Sequence, residues 1–172
     1  MKHLILLLLN LVFCVTLQAE VIGASAHGFH VQSTLLIEAS PLEVYDALTR
    51  QIGQWWDADH SYSGEGSNFY LEARANGCFC ELLPNGGSVL HMLVAHANPG
   101  KTLRLLGGLG PLQEMGIHGA MTFSFSETET GTELTLTYIV SGYVKEGLTG
   151  LAPVVDQVLA GQVGRLKNFV EK

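Results

Sequence analysis

The chain has 172 residues, a formal net charge of −7 and a charged fraction of 15%. That length fits one domain with one core. The acidic balance, with lysines and arginines scattered, leaves no basic stripe to track a phosphate backbone, so nucleic acid is excluded as an expected partner. Hydrophobic residues reach 47%, which points to an apolar interior larger than usual or an apolar surface awaiting a ligand.

Met1-Lys2-His3 is a short basic start, and Leu4 to Leu17 is apolar apart from Asn10 and Thr16. A run of about 14 residues has the length of a secretory signal core and falls short of the ~20 that span a bilayer. Residues 1–26 are therefore expected to be a signal peptide, cleaved after Ala19 or after Ala26. The second position fits the small-x-small rule better, and the first lies closer to the apolar run. The domain from 27 to 172 is then expected outside the cytoplasm, periplasmic or extracellular, with no stable membrane anchor. Cys14 follows the bulky Phe13, which does not suit lipid attachment, and is assigned to the discarded segment.

The next segment alternates Phe29, Val31, Leu35 and Ile37 against His30, Gln32, Thr34 and Glu38, the period of a half-buried strand. Ser40-Pro41-Leu42-Glu43 then starts a helix: Ser40 caps, Pro41 suits the first turn and Glu43 reaches back. Gln51 to Asp57 is expected to form a second short helix carrying Trp55 and Trp56, one of them for the core and the other for a pocket or its rim. Two strands, Asn68 to Arg74 and Cys78 to Leu83, lead to the turn Pro84-Asn85-Gly86-Gly87, whose Asn-Gly pair accepts positive φ. Ser88 to Ala97 returns antiparallel, and Thr102 to Leu106 follows after Asn98-Pro99-Gly100.

A glycine-rich apolar loop occupies Gly107 to Gly116. Its Leu109, Leu112 and Met115 need cover, either as a mobile lid over a cavity or as an ordinary packed loop. Met121, Phe123 and Phe125 form one alternating strand; Leu134, Leu136, Tyr138 and Val140 form the other, across a Thr130-Gly131 hairpin. Pro153 to Val170 has helical period and a wide apolar face. Gly161 and Gly164 within it suggest close approach to a neighbouring backbone or room left for something else.

The order of these elements resembles the START-like helix-grip superfamily. Within it the chain is similar to the polyketide cyclase/lipid-transport and Hsp90-ATPase-activator-homologue group. The residues that carry the resemblance are Ile37 to Leu48 around Ser40-Pro41, Trp55-Trp56, Gly77 to Glu81 before the Asn-Gly turn, and the long final helix. The resemblance implies an α+β fold: a curved antiparallel sheet of about seven strands wrapped around the last helix, two short helices after the first strand, and an apolar cavity between sheet and helix. Such cavities hold small hydrophobic molecules, a lipid or an aromatic compound. The residues expected to line this one are Trp55, Trp56, Phe79, Leu90, Met92, Leu109, Leu112, Met115, Phe123 and Tyr138. No cofactor is expected, and fold analogy does not choose the chemistry.

Cys78 and Cys80 share one strand face, and a two-residue turn at Asn85-Gly86 sets Cys80 opposite His91. Two thiolates and an imidazole suit a soft metal ion, although no fourth ligand is evident. A Cys78–Cys80 disulfide and a pair of buried free thiols are the other readings. Glu81 faces away from the cysteines. On the cavity side it becomes a buried carboxyl with a raised pKa, able to act as acid or base for a cyclase- or hydrolase-like enzyme; facing out, it is a surface charge. Asp57, Asp59 and His60 are read as a solvated loop, and His96 and His118 as surface residues. Export argues against the third reading, a protein-interaction module like the Hsp90-activator branch, whose partner is cytosolic.

Overall fold

The computed structural model describes residues 17–172. The apolar core of the expected signal peptide and Cys14 lie outside the described residues. The sheet is antiparallel and eight-stranded, in the order β1-β2-β8-β7-β6-β5-β4-β3. Its strands are β1 (Gln18–Ser25), β2 (Gly28–Ile37), β3 (Phe69–Leu71), β4 (Cys78–Leu82), β5 (Ser88–Asn98), β6 (Thr102–Leu106), β7 (His118–Thr128) and β8 (Gly131–Ser141).

The fold is thus α+β with one strand more than the seven expected, and the extra one is β1. It pairs with β2 from Gln18↔Thr34 to Ser25↔Gly28. The helices expected after the first strand follow β2, the second strand in the chain: α1 (Pro41–Arg50) and α2 (Ile52–Trp55). At the start of α1 the Ser40 hydroxyl accepts the Glu43 N–H, and the Glu43 carboxylate accepts the Ser40 N–H at 2.9 Å, the reciprocal capping read from the sequence.

The last helix, α4 (Ala152–Val170), packs on β2 and β1 and against α1 and α2. Its carboxy-terminal end is tied to the end of β2. Lys167 Nζ donates to the Leu36 carbonyl at 2.8 Å, and Glu171 accepts the Glu38 N–H at 2.8 Å. Gly161 and Gly164 have nothing within 4 Å of where a Cβ would sit, so close backbone approach is not their reason.

Strand β2 alternates inward and outward along its whole length, and its inward residues Val31, Leu35 and Ile37 join Leu134, Leu136 and Tyr138 of β8 in the core. Period-2 side chains on a sheet with one covered face produce this pattern. Four strands away, the alternation fails. In β5 both His91 and Met92 are buried although they are neighbours.

Candidate functional site

The hairpin between β4 and β5 builds the site. Asn85 and Gly86 do take positive φ, but the connection runs from Leu83 to Gly87 and closes with Leu83 N–H donating to the Gly87 carbonyl at 2.9 Å. Leu82 therefore faces Ser88, and Cys80 faces Leu90 rather than His91. Beyond a bulge the register becomes Phe79↔Met92 and Cys78↔Leu93. His91 is the extra residue of that bulge. A bulge re-aims the side chain it carries, and here it turns His91 into the interior beside Met92. Gly107 packs behind it: φ is +149°, and a Cβ there would sit 3.1 Å from the His91 carbonyl oxygen.

Inside, His91 Nε2 meets Glu81 Oε2 at 3.0 Å, with side-chain exposures of 3% and 0%. The same carboxylate accepts the Tyr62 N–H at 3.1 Å and the Ser63 N–H at 2.6 Å. Burial pushes the Glu81 pKa up, but hydrogen bonds from Ser63, Tyr62 and His91 outweigh it and hold the carboxyl below its ordinary value. The expected raised pKa is therefore corrected, because the sequence does not reveal the donors from the 62–63 loop. Burial likewise pulls His91 below its ordinary value, against the opposing pull of Glu81. The pair is then a carboxylate and a neutral imidazole. A carboxylate only accepts, so Nε2 carries the proton and donates, and Nδ1 is left with the ring's lone pair.

His91 forms part of the wall of a pocket of about 530 Å³. The floor is aromatic: Trp56 and His91 both pack on Phe79, with ring centroids 5.0 Å away in each case, and both also pack on Phe69. One side is the segment from Asp59 to Tyr62; another is the 109–115 segment; the roof is the first half of α4 with Leu151 before it. Arg165 Nε donates to the Trp55 carbonyl at 2.8 Å, and Gln162 accepts the Asp57 N–H at 3.1 Å, so α4 fixes the backbone that presents Trp56. The Trp56 indole N–H is buried and has no hydrogen-bond partner among the described residues.

The glycine-rich loop carries a short helix, α3 (Pro111–Glu114), and its Leu112 is buried. Tyr138 ties the loop down: its hydroxyl donates to the Gly107 carbonyl at 2.9 Å and accepts the Leu109 N–H at 3.1 Å. Burial raises this phenol to about 12, partly offset by the Leu109 N–H. Tyr62 also lines the pocket, and burial, Glu114 and Glu81 all raise its pKa.

Of the residues expected to line the cavity, Trp56, Leu109, Leu112, Met115 and Tyr138 do so. Trp55 points elsewhere and donates to the Ala47 carbonyl at 3.0 Å. Phe79 and Phe123 are core residues that do not line it, and Leu90 and Met92 border a smaller pocket of about 220 Å³. Leu90 is 44% exposed, because the longer turn sets it opposite Cys80 rather than Glu81. Asp59 and His60, read as a solvated loop, lie at the pocket edge.

Cys78 and Cys80 are joined to each other, with Cα atoms 5.5 Å apart, and His91 is on the other face with Glu81. The three do not form a ligand set. Among the described residues no group of three or more His, Cys, Asp or Glu side chains is arranged to hold a metal ion.

An antiparallel sheet closed by a carboxy-terminal helix defines the class, and it is compatible with a helix-grip fold. No protein-family model and no curated protein matches the sequence. Solved structures do. A protein from Rhizobium leguminosarum is 16% identical, with 91% of this chain and 98% of that one covered and a TM-score of 0.63. A protein from Mesorhizobium loti is 19% identical over 81% of this chain and 94% of its own, with a TM-score of 0.58. DynU16, a protein of the dynemicin biosynthetic locus, is 19% identical over 83% of this chain and 47% of its own, with a TM-score of 0.56. At these identities the fold is what is shared.

Proposed function

We propose that this domain binds a small hydrophobic molecule, a lipid or aromatic compound, between the sheet and α4. The observation that carries the reading is the pocket of about 530 Å³ with Trp56, Phe69, Leu109, Tyr138, Val155 and Val158 in its wall. That volume lies in the usual range for small-molecule sites, about 300–1,000 Å³, and so does the ratio of many apolar groups to few polar ones. Membership of the polyketide cyclase/lipid-transport group within the helix-grip superfamily belongs to the same proposal, supported by the Ser40-Pro41 helix start and the final helix. Export does as well. Among the described residues no helix is long and apolar enough to cross a membrane. Signal cleavage after Ala19 is the choice of the two that leaves most of β1, since cleavage after Ala26 would remove the whole strand.

The test is native mass spectrometry of protein purified from its own compartment, followed by titration with a hydrophobic fluorophore. Co-purified apolar ligand or saturable uptake of the fluorophore is expected. Bare protein that takes up nothing would overturn the reading.

An enzyme working in the same pocket is the second reading, favoured by the buried Glu81–His91 pair. Both Glu81 oxygens are engaged by N–H groups, so His91 rather than Glu81 is the group able to exchange a proton with a substrate. A turnover that survives unchanged in His91→Phe would remove this reading.

A further inference from the structure

We infer that the pocket selects a neutral apolar molecule carrying a hydroxyl, and that His91 reads this hydroxyl by accepting its hydrogen bond. The inference rests on the ligand-binding reading and adds the chemical class of the ligand. His91 is the polar ring built into the aromatic floor of the pocket. Locked by Glu81 with its proton on Nε2, it offers a lone pair on Nδ1. The Trp56 indole N–H is sealed within the packing and offers a ligand nothing.

The imidazole packs on the Phe69–Phe79 pair, in an otherwise apolar patch of wall. A hydroxyl is the smallest group that donates to its lone pair. A hydrocarbon would leave that lone pair unsatisfied in a low-dielectric wall, which is costly. An anion is disfavoured as well, since Asp59 and Glu114 stand at the pocket edge and a neutral imidazole has no charge to pair with it. A ketone or an ether would leave the His91 lone pair facing another acceptor. Glu81 therefore acts as a positioning residue: it fixes the tautomer that makes His91 an acceptor toward the pocket.

The experiment compares 2-naphthol with its methyl ether, 2-methoxynaphthalene, by fluorescence titration of the full chain at neutral pH. The two share an apolar skeleton and differ in the single donor. The expected result is about tenfold tighter binding of the naphthol, the worth of one buried hydrogen bond. In His91→Phe that preference should fall to about twofold or less while the ether still binds. Equal binding of the two probes to the unaltered protein would overturn the role of His91 and leave the hydrophobic pocket standing. Binding of neither would overturn both. Because the deciding comparison is made on the unaltered protein, it does not depend on whether the variant folds.

Discussion

The two halves of the sheet follow different rules. In β2, β8 and β7 every register is continuous, from Gly28↔Ser141 to Ile37↔Thr132 and from His118↔Ser141 to Thr128↔Gly131. The inward residues there are apolar except for Ser33 and Thr132, and the apolar ones contribute by being removed from water. In β4, β5 and β6 the register shifts between Phe79 and Cys80 and again between Val94 and His96. That half buries a carboxylate and an imidazole and carries a half-buried disulfide. The regular half supplies stability without chemistry. The irregular half gives up regular pairing to aim polar groups into a pocket, and it holds them with donors from a loop rather than from the sheet.

The largest effect that would test this division is expected from Glu81→Leu. It removes the acceptor shared by Tyr62 N–H, Ser63 N–H and His91, and leaves those donors buried. The loss should be about 3–5 kcal/mol, read from urea unfolding. Leu134→Ala, at a fully buried position of the regular half, should follow at about 3 kcal/mol from lost transfer energy and the cavity left behind. The contrast lies in binding. The folded fraction of Leu134→Ala should take up a hydrophobic probe as before, whereas Glu81→Leu should lose discrimination for a hydroxyl. If both variants changed binding alike, the halves would not be functionally separate.

Acid should weaken the irregular half selectively. The folded pKa of His91 lies below its ordinary 6.5, so in the interval between the two values the unfolded chain holds a proton that the folded chain does not. The contribution of neutral His91 is thus complete above about 6.5 and is lost as pH falls through its folded value. Glu81 has the same sign lower down: its contribution is present above 4.5 and is lost as pH falls through its depressed folded value. Urea midpoints measured from neutral pH downward should fall in two stages, and His91→Phe should lack the first. A first stage of unchanged size in that variant would show that His91 is not its source.

What could be read from the sequence follows the same division. The alternation of Phe29 to Ile37 and of Leu134 to Val140, and the capping residues Ser40 and Glu43, each rest on a local rule, and the structure follows them. The hairpin at Asn85-Gly86 was legible as a turn but not in its length. One added residue moves every side chain beyond it to the other face until a bulge restores the register. Nothing in the composition of β5 marks His91 as that bulge, so the sequence pattern sets Cys80 opposite it and Leu90 on the cavity side. Glu81 stands out in the sequence, but the direction of its pKa does not, because the deciding N–H groups belong to Tyr62 and Ser63, about twenty residues away. Strand β1 was hidden by the neighbouring apolar run: Gln18 to Ser25 carries the small residues of a cleavage site and is also able to pair along the exposed edge of β2.

The smallest effect expected lies where the two halves meet. Tyr138 belongs to the regular half, and its ring lines the pocket, yet its hydroxyl holds the Gly107–Leu109 stretch of the irregular half through one donated and one accepted bond. Tyr138→Phe keeps the ring and its packing and removes both bonds. The cost should be about 1–2 kcal/mol, since the Leu109 N–H is freed near the pocket where water can replace the lost partner. Hydrogen exchange should localise the change: faster exchange at Leu109 and through α3, with the amides of β2 and β8 unaltered. Faster exchange spread over β8 would instead mean that the hydroxyl supports the core, and that the loop over the pocket is held by Leu112 and its burial alone.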